Sequence, residues 1–239
     1  EAIDAAELHV KTQGKPKTLV YKGKIYLAIA SDTTEATAPF RKEAIFVSAE
    51  SFIEAKKVAD SRTDMRELRV MLLANVYSKM WENGANYYDN KEYAEASRHF
   101  SECANIRMVY NQMDTIAYFY AGNSSSAAKL PEDAISYYNK IKDVGEIRGT
   151  SIKEGDIYSR ISSQYNNIGL RYSELGNSEL AIEYYLRSVK LKLLSGRNSG
   201  HLINSYSNLG REYYLNKEFY KSINFYLKAL NLAKNKNRF

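Results

Sequence analysis

The residues with chemical potential in this chain are three histidines, one cysteine and a few adjacent acids. His9, His99 and His201 are far apart and have no Cys or carboxylate at ligand spacing. The clustered N/S donors that zinc requires are therefore missing. Cys103 falls where related stretches of the chain carry Ala or Ser, which makes it an inert core residue rather than a nucleophile. No glycine-rich phosphate loop or nucleophile elbow is present. Glu132 and Asp133 follow Pro131, the position of a helix first turn, where the helix dipole favours acids without any catalytic role. The sequence thus predicts a non-enzyme with no cofactor and no metal.

What positions these residues is a helical framework. The chain has 239 residues, 44% of them hydrophobic and 26% charged, which suits a packed core rather than disorder. Only 3 prolines interrupt it, whereas 21 tyrosines supply half-buried rings with wet hydroxyls. No apolar run approaches the roughly 20 residues that span a bilayer. The lone cysteine excludes an internal disulfide framework. The net charge of +6 is uneven: residues 151–239 carry 14 Lys/Arg against 7 Asp/Glu, which leaves the first 150 near −1. This excess reads as a solvated basic face with a frayed tail, "KNKNRF", the alternative being an acidic partner, whether protein, anionic lipid or nucleic acid. The chain starts at Glu1 without an initiator Met, which reads as a trimmed product, and "EAIDAAEL" reads as the second helix of an earlier, truncated repeat.

One template recurs along the chain. Gly169 and Tyr172 are followed by Ala181, Tyr185 and Ser188; Gly210 and Tyr213 by Ser222, Tyr226 and Ala229. Upstream, Gly84 and Tyr87 lead to Ala96, Phe100 and Cys103, and Gly122 leads to Ala134, Tyr138 and Ile141, with Ser125 in the tyrosine slot. Gly23 and Tyr26 lead to Ser48, Phe52 and Ala55 only after the insertion "SDTTEATAPFRK". Gly-x-x-Tyr shares one face of a first helix, and small–aromatic–small at spacings of four and three shares one face of a second. Glycine inside a helix costs about 1 kcal/mol against alanine, so its recurrence predicts close helix packing with the aromatic filling the groove beside it. The glycine intervals of 61, 38, 47 and 41 residues predict lengthened first helices rather than loose linkers.

Tyr165, Ile168, Gly169, Tyr172, Gly176, Ala181 and Tyr185, with Tyr206, Leu209, Gly210, Tyr213, Tyr226 and Ala229, carry a resemblance to the tetratricopeptide repeat (TPR) family. The resemblance implies an all-α fold, a right-handed superhelical solenoid of antiparallel helix pairs. It would be a single array over 1–239, with a divergent repeat at 17–58 and others at about 77–106, 115–144, 162–191 and 203–232. It also implies a concave groove lined by first helices, which takes an extended or helical peptide. Groove positions lie three before and one and four after each glycine, with the residue two before on the edge. These give Trp81, Ala85 and Tyr88; Phe119, Asn123 and Ser126; Asn166, Leu170 and Ser173; Ser207, Arg211 and Tyr214; and Asn167 and Asn208. Asparagine offers both donor and acceptor to a peptide backbone. The cation that a clamp for acidic chaperone tails places three before the first glycine is absent, since Val20, Trp81, Phe119, Asn166 and Ser207 stand there.

The resemblance therefore implies a protein- or peptide-binding scaffold or adaptor. The alternative is a peptide-sensing regulatory module of a bacterial signalling protein, to which "YNNIG" and "YSNLG" are similar. "KPKTLVYKGKIYLAIA" resembles exported bacterial TPR proteins and implies a cell-envelope location, with the cytoplasm as the alternative. Nucleic acid is not the expected partner, because Arg187, Lys190, Lys192, Lys221 and Lys228 fall on second helices, at the outer surface. The oligomeric state is left open.

Overall fold

The computed structural model describes residues 9, 11–142, 150–196 and 200–236, and its regular elements are helices. The opening "EAIDAAEL" and the last three residues of the basic tail lie outside the described residues. The chain divides into two compact units, Glu1–Ala117 and Tyr118–Phe239.

The first unit holds α1 (Pro16–Ser31), α2 (Ala38–Lys57), α3 (Met65–Val70), α4 (Tyr77–Asp89) and α5 (Tyr93–Met108). Met71–Val76 forms a π-helical turn that joins α3 to α4 without a break. Asp64 starts this rod as its N-cap, accepting from the Arg66 and Glu67 amides at 2.9 and 3.0 Å. The second unit holds α6 (Thr115–Ala127, entered from the first unit), α7 (Pro131–Ile141), α8 (Glu154–Glu174), α9 (Ser178–Leu194), α10 (Gly200–Leu215) and α11 (Phe219–Lys236). Helices pair consecutively: α1 with α2, α4 with α5, α8 with α9 and α10 with α11. Ahead of Gly84 the chain is helical from Met65, in the α3–α4 rod, and ahead of Gly169 it is helical from Glu154, in the long α8.

The five template glycines explain the pairing. A β-carbon built on Gly23 would meet the Phe52 ring at 2.8 Å, on Gly122 the Tyr138 ring at 2.5 Å and on Gly169 the Tyr185 ring at 2.7 Å. On Gly84 it would lie 3.1 Å from Phe100 and on Gly210 3.0 Å from Tyr226. In each pair the aromatic of the second helix rests on the bare backbone of the first, closest at Gly23, Gly122 and Gly169, where an added methyl would have no room beside an unmoved ring. The template's small residues are buried beside it. Where that residue is serine the hydroxyl adds a tie: Ser48 and Ser222 donate to the carbonyls of Gly23 and Gly210, both at 2.8 Å. In the second unit Ala181, Tyr185, Val189, Leu202, Leu209 and Tyr213 form one core cluster.

The hairpin turns are equally uniform. Lys91, Lys129, Gly176 and Lys217 each stand seven residues after a template glycine and adopt φ of 65°, 61°, 75° and 61°. The next amide bonds back to the residue three after the glycine, as in Glu92 to Tyr87, Leu130 to Ser125, Asn177 to Tyr172 and Glu218 to Tyr213, at 2.8–2.9 Å. These are Schellman turns, in which the left-handed residue frees the chain to leave the helix. Only the third uses the glycine that suits that conformation.

The insertion in the first pair leaves its glycine–aromatic contact intact. α1 runs three residues further past its glycine than α4 does, and α2 starts seven residues earlier than α5 relative to the small residue. The connection, 32–37, is three residues longer, with Asp32 accepting from the Thr34 amide at 3.0 Å. The early part of α2 meets α5 through Lys42–Glu95 at 2.9 Å and Glu43–Arg98 at 2.7 Å, and Arg98 stacks on Phe46.

Candidate functional site

The first helices of the second unit expose a face that repeats from pair to pair. On α8 it carries Asn167 and Leu170, and on α10 Arg211 and Tyr214; all four are exposed. Asn208, the counterpart of Asn167, is partly covered, as is Ser207. Under these residues lies a seam of hydrogen bonds between α8 and α10. Asn166 Oδ1 accepts from Asn208 Nδ2 and from the Ser205 hydroxyl, both at 3.3 Å. This fixes which end of the Asn166 amide faces α10 and turns its N–H donors away. Ser173 donates to Glu212 at 2.6 Å in the buried part of the seam. Tyr185 lies close by, and burial pushes its phenol up to about 12.

A second seam joins α8 to α6. Arg160 donates to Asn123 Oδ1 at 2.9 Å and lays its guanidinium 4.8 Å above the Phe119 ring. Tyr138 donates to the same Asn123 oxygen at 2.8 Å, and Gln164 donates to Ser126 at 2.9 Å. Phe119 is buried, and Asn123 serves the joint between helices. Asn167 bonds weakly within its own helix, to Gln164 at 3.5 Å. In the first unit Trp81 stacks on Tyr77 and meets the edge of Phe100, while Tyr88 is exposed beside Tyr93. Ala85 is partly covered.

Counting from the glycines only as far as three residues upstream missed Arg160 and Gln164, nine and five before Gly169. Extending the same count by two turns would have found them. Also missed was the slot fifteen after each glycine, filled by His99, Tyr137, Tyr184 and Phe225. Tyr184 stacks on Tyr172 at 5.5 Å and Phe225 on Tyr213 at 5.4 Å. The basic residues of the second helices were expected at the outer surface. Lys192 corrects this: it is buried, and its ammonium donates to Ser159 of α8. Arg187 and Lys228 lie over the rings of their own stacks, Arg187 above Tyr184 at 5.2 Å and Lys228 above Phe225 at 4.9 Å.

The pattern of glycine under ring, Schellman turn and aromatic stack is matched by a family model. Residues 165–193 and 203–236 match the tetratricopeptide repeat model. Repeats of this family are protein-interaction modules built from paired helices. Among solved structures the chain is similar to BtubC (BKLC) from P. vanneervenii, at 15% identity and a TM-score of 0.42, over 94% of this chain and 93% of that one. It is also similar to the MamA protein, at 15% identity and a TM-score of 0.41, over 91% of this chain and 95% of that one. A second MamA structure gives 14% identity and a TM-score of 0.42, over 87% and 99%. No curated protein matches the chain.

The candidate chemical groups of the first unit, Cys103 and His99, are buried. Burial raises the Cys103 thiol well above its usual range, and its sulfur points at the Tyr77 carbonyl at 3.7 Å. His99 is buried, bonded through Nδ1 to the Glu95 carbonyl at 2.9 Å, and burial lowers its pKa. Among the described residues no three His, Cys, Asp or Glu side chains come together as a metal site, and no helix is long and apolar enough to cross a membrane.

Proposed function

We propose that the chain is a protein- or peptide-binding scaffold or adaptor, and that the exposed first-helix face of α8 and α10 receives the partner. The observation that carries this reading is the hydrogen-bonded seam from Asn166 to Asn208 and Ser205. It holds two neighbouring helices in register, so that Leu170 and Arg211, one residue after their glycines, present a matched apolar and cationic pair to solvent. Asn167 and Asn208 supply amides at the edge, and Tyr214 supplies a ring whose body packs and whose hydroxyl bonds. An extended segment with an apolar side chain and a carboxylate fits these groups.

The test is selection of peptides on the purified chain from a random library, followed by affinity measurement with variants. Leu170→Ala and Arg211→Ala, both at exposed positions, are expected to weaken the selected peptides about tenfold or more, the effect of losing an interface anchor worth more than 1 kcal/mol. Lys190→Ala, on the exposed side of α9, is expected to leave affinity unchanged. Equal binding by all three variants would overturn the reading.

A further inference from the structure

The second helix of the last pair presents an apolar arc that its counterparts do not. Phe219, Tyr220, Ile223, Tyr226, Leu227 and Leu230 are 52%, 92%, 57%, 44%, 52% and 46% exposed. At helical spacing these six share one side of α11. In the preceding pairs, the residues that match Tyr226 are Tyr185 and Tyr138, each 1% exposed, and Ile135, which matches Ile223, is 8% exposed. The arc is also broader than the stripe that inner second helices bury. Where α11 has Tyr220, α7 and α9 have the exposed acids Glu132 and Glu179. Where it has Leu227, α5 and α7 have Ser101 and Asn139, and α9 has Leu186, which stays 41% exposed although another pair follows it. A further pair of the same template would cover Ile223, Tyr226 and Leu230 and leave Tyr220 and Leu227 wet.

We propose that a second copy of this chain occupies the face, α11 against α11 in an antiparallel, two-fold contact. Charge favours this occupant. Lys221 and Lys228 lie on the opposite side of α11, where Lys221 pairs with Glu218 and both ammonium groups sit over rings of their own pair. Among the residues whose side chains are described, the arc therefore offers no charged row for an oppositely charged partner, and Lys234 stands at its C-terminal end. An antiparallel pairing centred on Leu227 sets each Leu227 beside the other, Ile223 beside Leu230, and Lys234 beside Tyr220. No like charges meet, and the last of these pairs is a cation–π contact. The area is sufficient. Six side chains this exposed offer on the order of 600 Å² per copy. Two copies then reach about 1,200 Å², the lower end of the range for specific interfaces. A two-fold contact between identical patches is the commonest way such a face closes without forming a fibre.

The experiment is sedimentation velocity on the 239-residue chain from about 1 to 100 µM, with Leu227→Glu and Lys190→Glu as surface variants and circular dichroism as the folding control. Wild type and Lys190→Glu are expected to pass from monomer to dimer across this range, and Leu227→Glu to stay monomeric with unchanged helicity. Geometry is read separately by oxidation. Leu227→Cys is expected to give a disulfide-linked dimer, because a two-fold axis through that residue pairs it with itself. A wild type that stays monomeric at 100 µM overturns the proposal. A dimer that survives Leu227→Glu, or one in which Leu227→Cys does not cross-link, overturns it as well.

Discussion

Replacing Gly169 with alanine tests the glycine–ring joint, and the same change at Gly210 provides its internal control. At Gly169 the new methyl would stand 2.7 Å from two carbons of the Tyr185 ring, well inside the 3.5–4.0 Å of normal carbon contact. That ring is buried within the core cluster of the second unit and has nowhere to go. Forcing a methyl into such a site costs about 2–3 kcal/mol, whereas the gain in helix propensity from Gly to Ala returns about 1. Gly169→Ala should therefore lose about 1–2 kcal/mol. At Gly210 the methyl would meet Tyr226 at 3.0 Å, but this ring is half in solvent and can swing outward. There the propensity term wins, and Gly210→Ala should be neutral or gain up to about 1 kcal/mol. The difference between the two variants, about 2 kcal/mol, corresponds to roughly 4–8 °C in Tm for a chain of this size. Urea unfolding followed by circular dichroism reads it directly. Adding Tyr185→Leu to Gly169→Ala should restore part of the loss through coupling between the two sites. If Gly169→Ala proves as stable as Gly210→Ala, close ring-on-backbone packing is not what holds the pairs, and the reasoning fails.

Lys129→Gly places in a left-handed turn the residue that Gly176 already supplies in the equivalent turn, and should raise stability by about 0.5–1 kcal/mol in the same urea assay. His99→Phe should flatten the pH dependence of Tm. Burial holds the folded pKa of His99 below its ordinary value of 6.5, so its contribution is complete above pH 6.5. That contribution is lost as pH falls from there through the folded value, because the unfolded chain takes the proton first. Glu43, Glu95 and Arg98 face the same histidine and are retained in both proteins, so the difference in slope between pH 7 and 5 isolates the imidazole. Equal slopes would refute this assignment. Ser222→Ala should cost about 1 kcal/mol, the worth of its hydroxyl bond to the Gly210 carbonyl, and a thermal melt is enough to detect it.

The joints were legible in the sequence because each lies within one hairpin. A glycine and an aromatic sixteen residues further on are brought together by two helices and a short turn, so Gly122 and Tyr138, or Gly169 and Tyr185, could be paired by counting alone. In the first pair the aromatic, Phe52, stands 29 residues after Gly23, yet the contact is kept, since the helices and their connection absorb the extra length at the far end. The face was legible only in outline. Leu170, Arg211 and Tyr214 are exposed where the family pattern puts groove residues. Phe119 and Asn123 belong to the same pattern, but they are taken up by Arg160 from a helix whose approach depends on how successive pairs stack. No offset within a single repeat encodes that approach. Lys192 was misplaced for a related reason: a long stem lets a cation reach Ser159 from a position that composition assigns to solvent.

The lengthened first hairpin has a practical use. Its glycine–ring clamp lies well away from the tip at 32–37, so additions there extend an overhang without disturbing the alignment of the two helices. An epitope or a fluorescent label grafted between Thr33 and Glu35 would sit on exposed residues of the connection, several turns from the Gly23–Phe52 clamp.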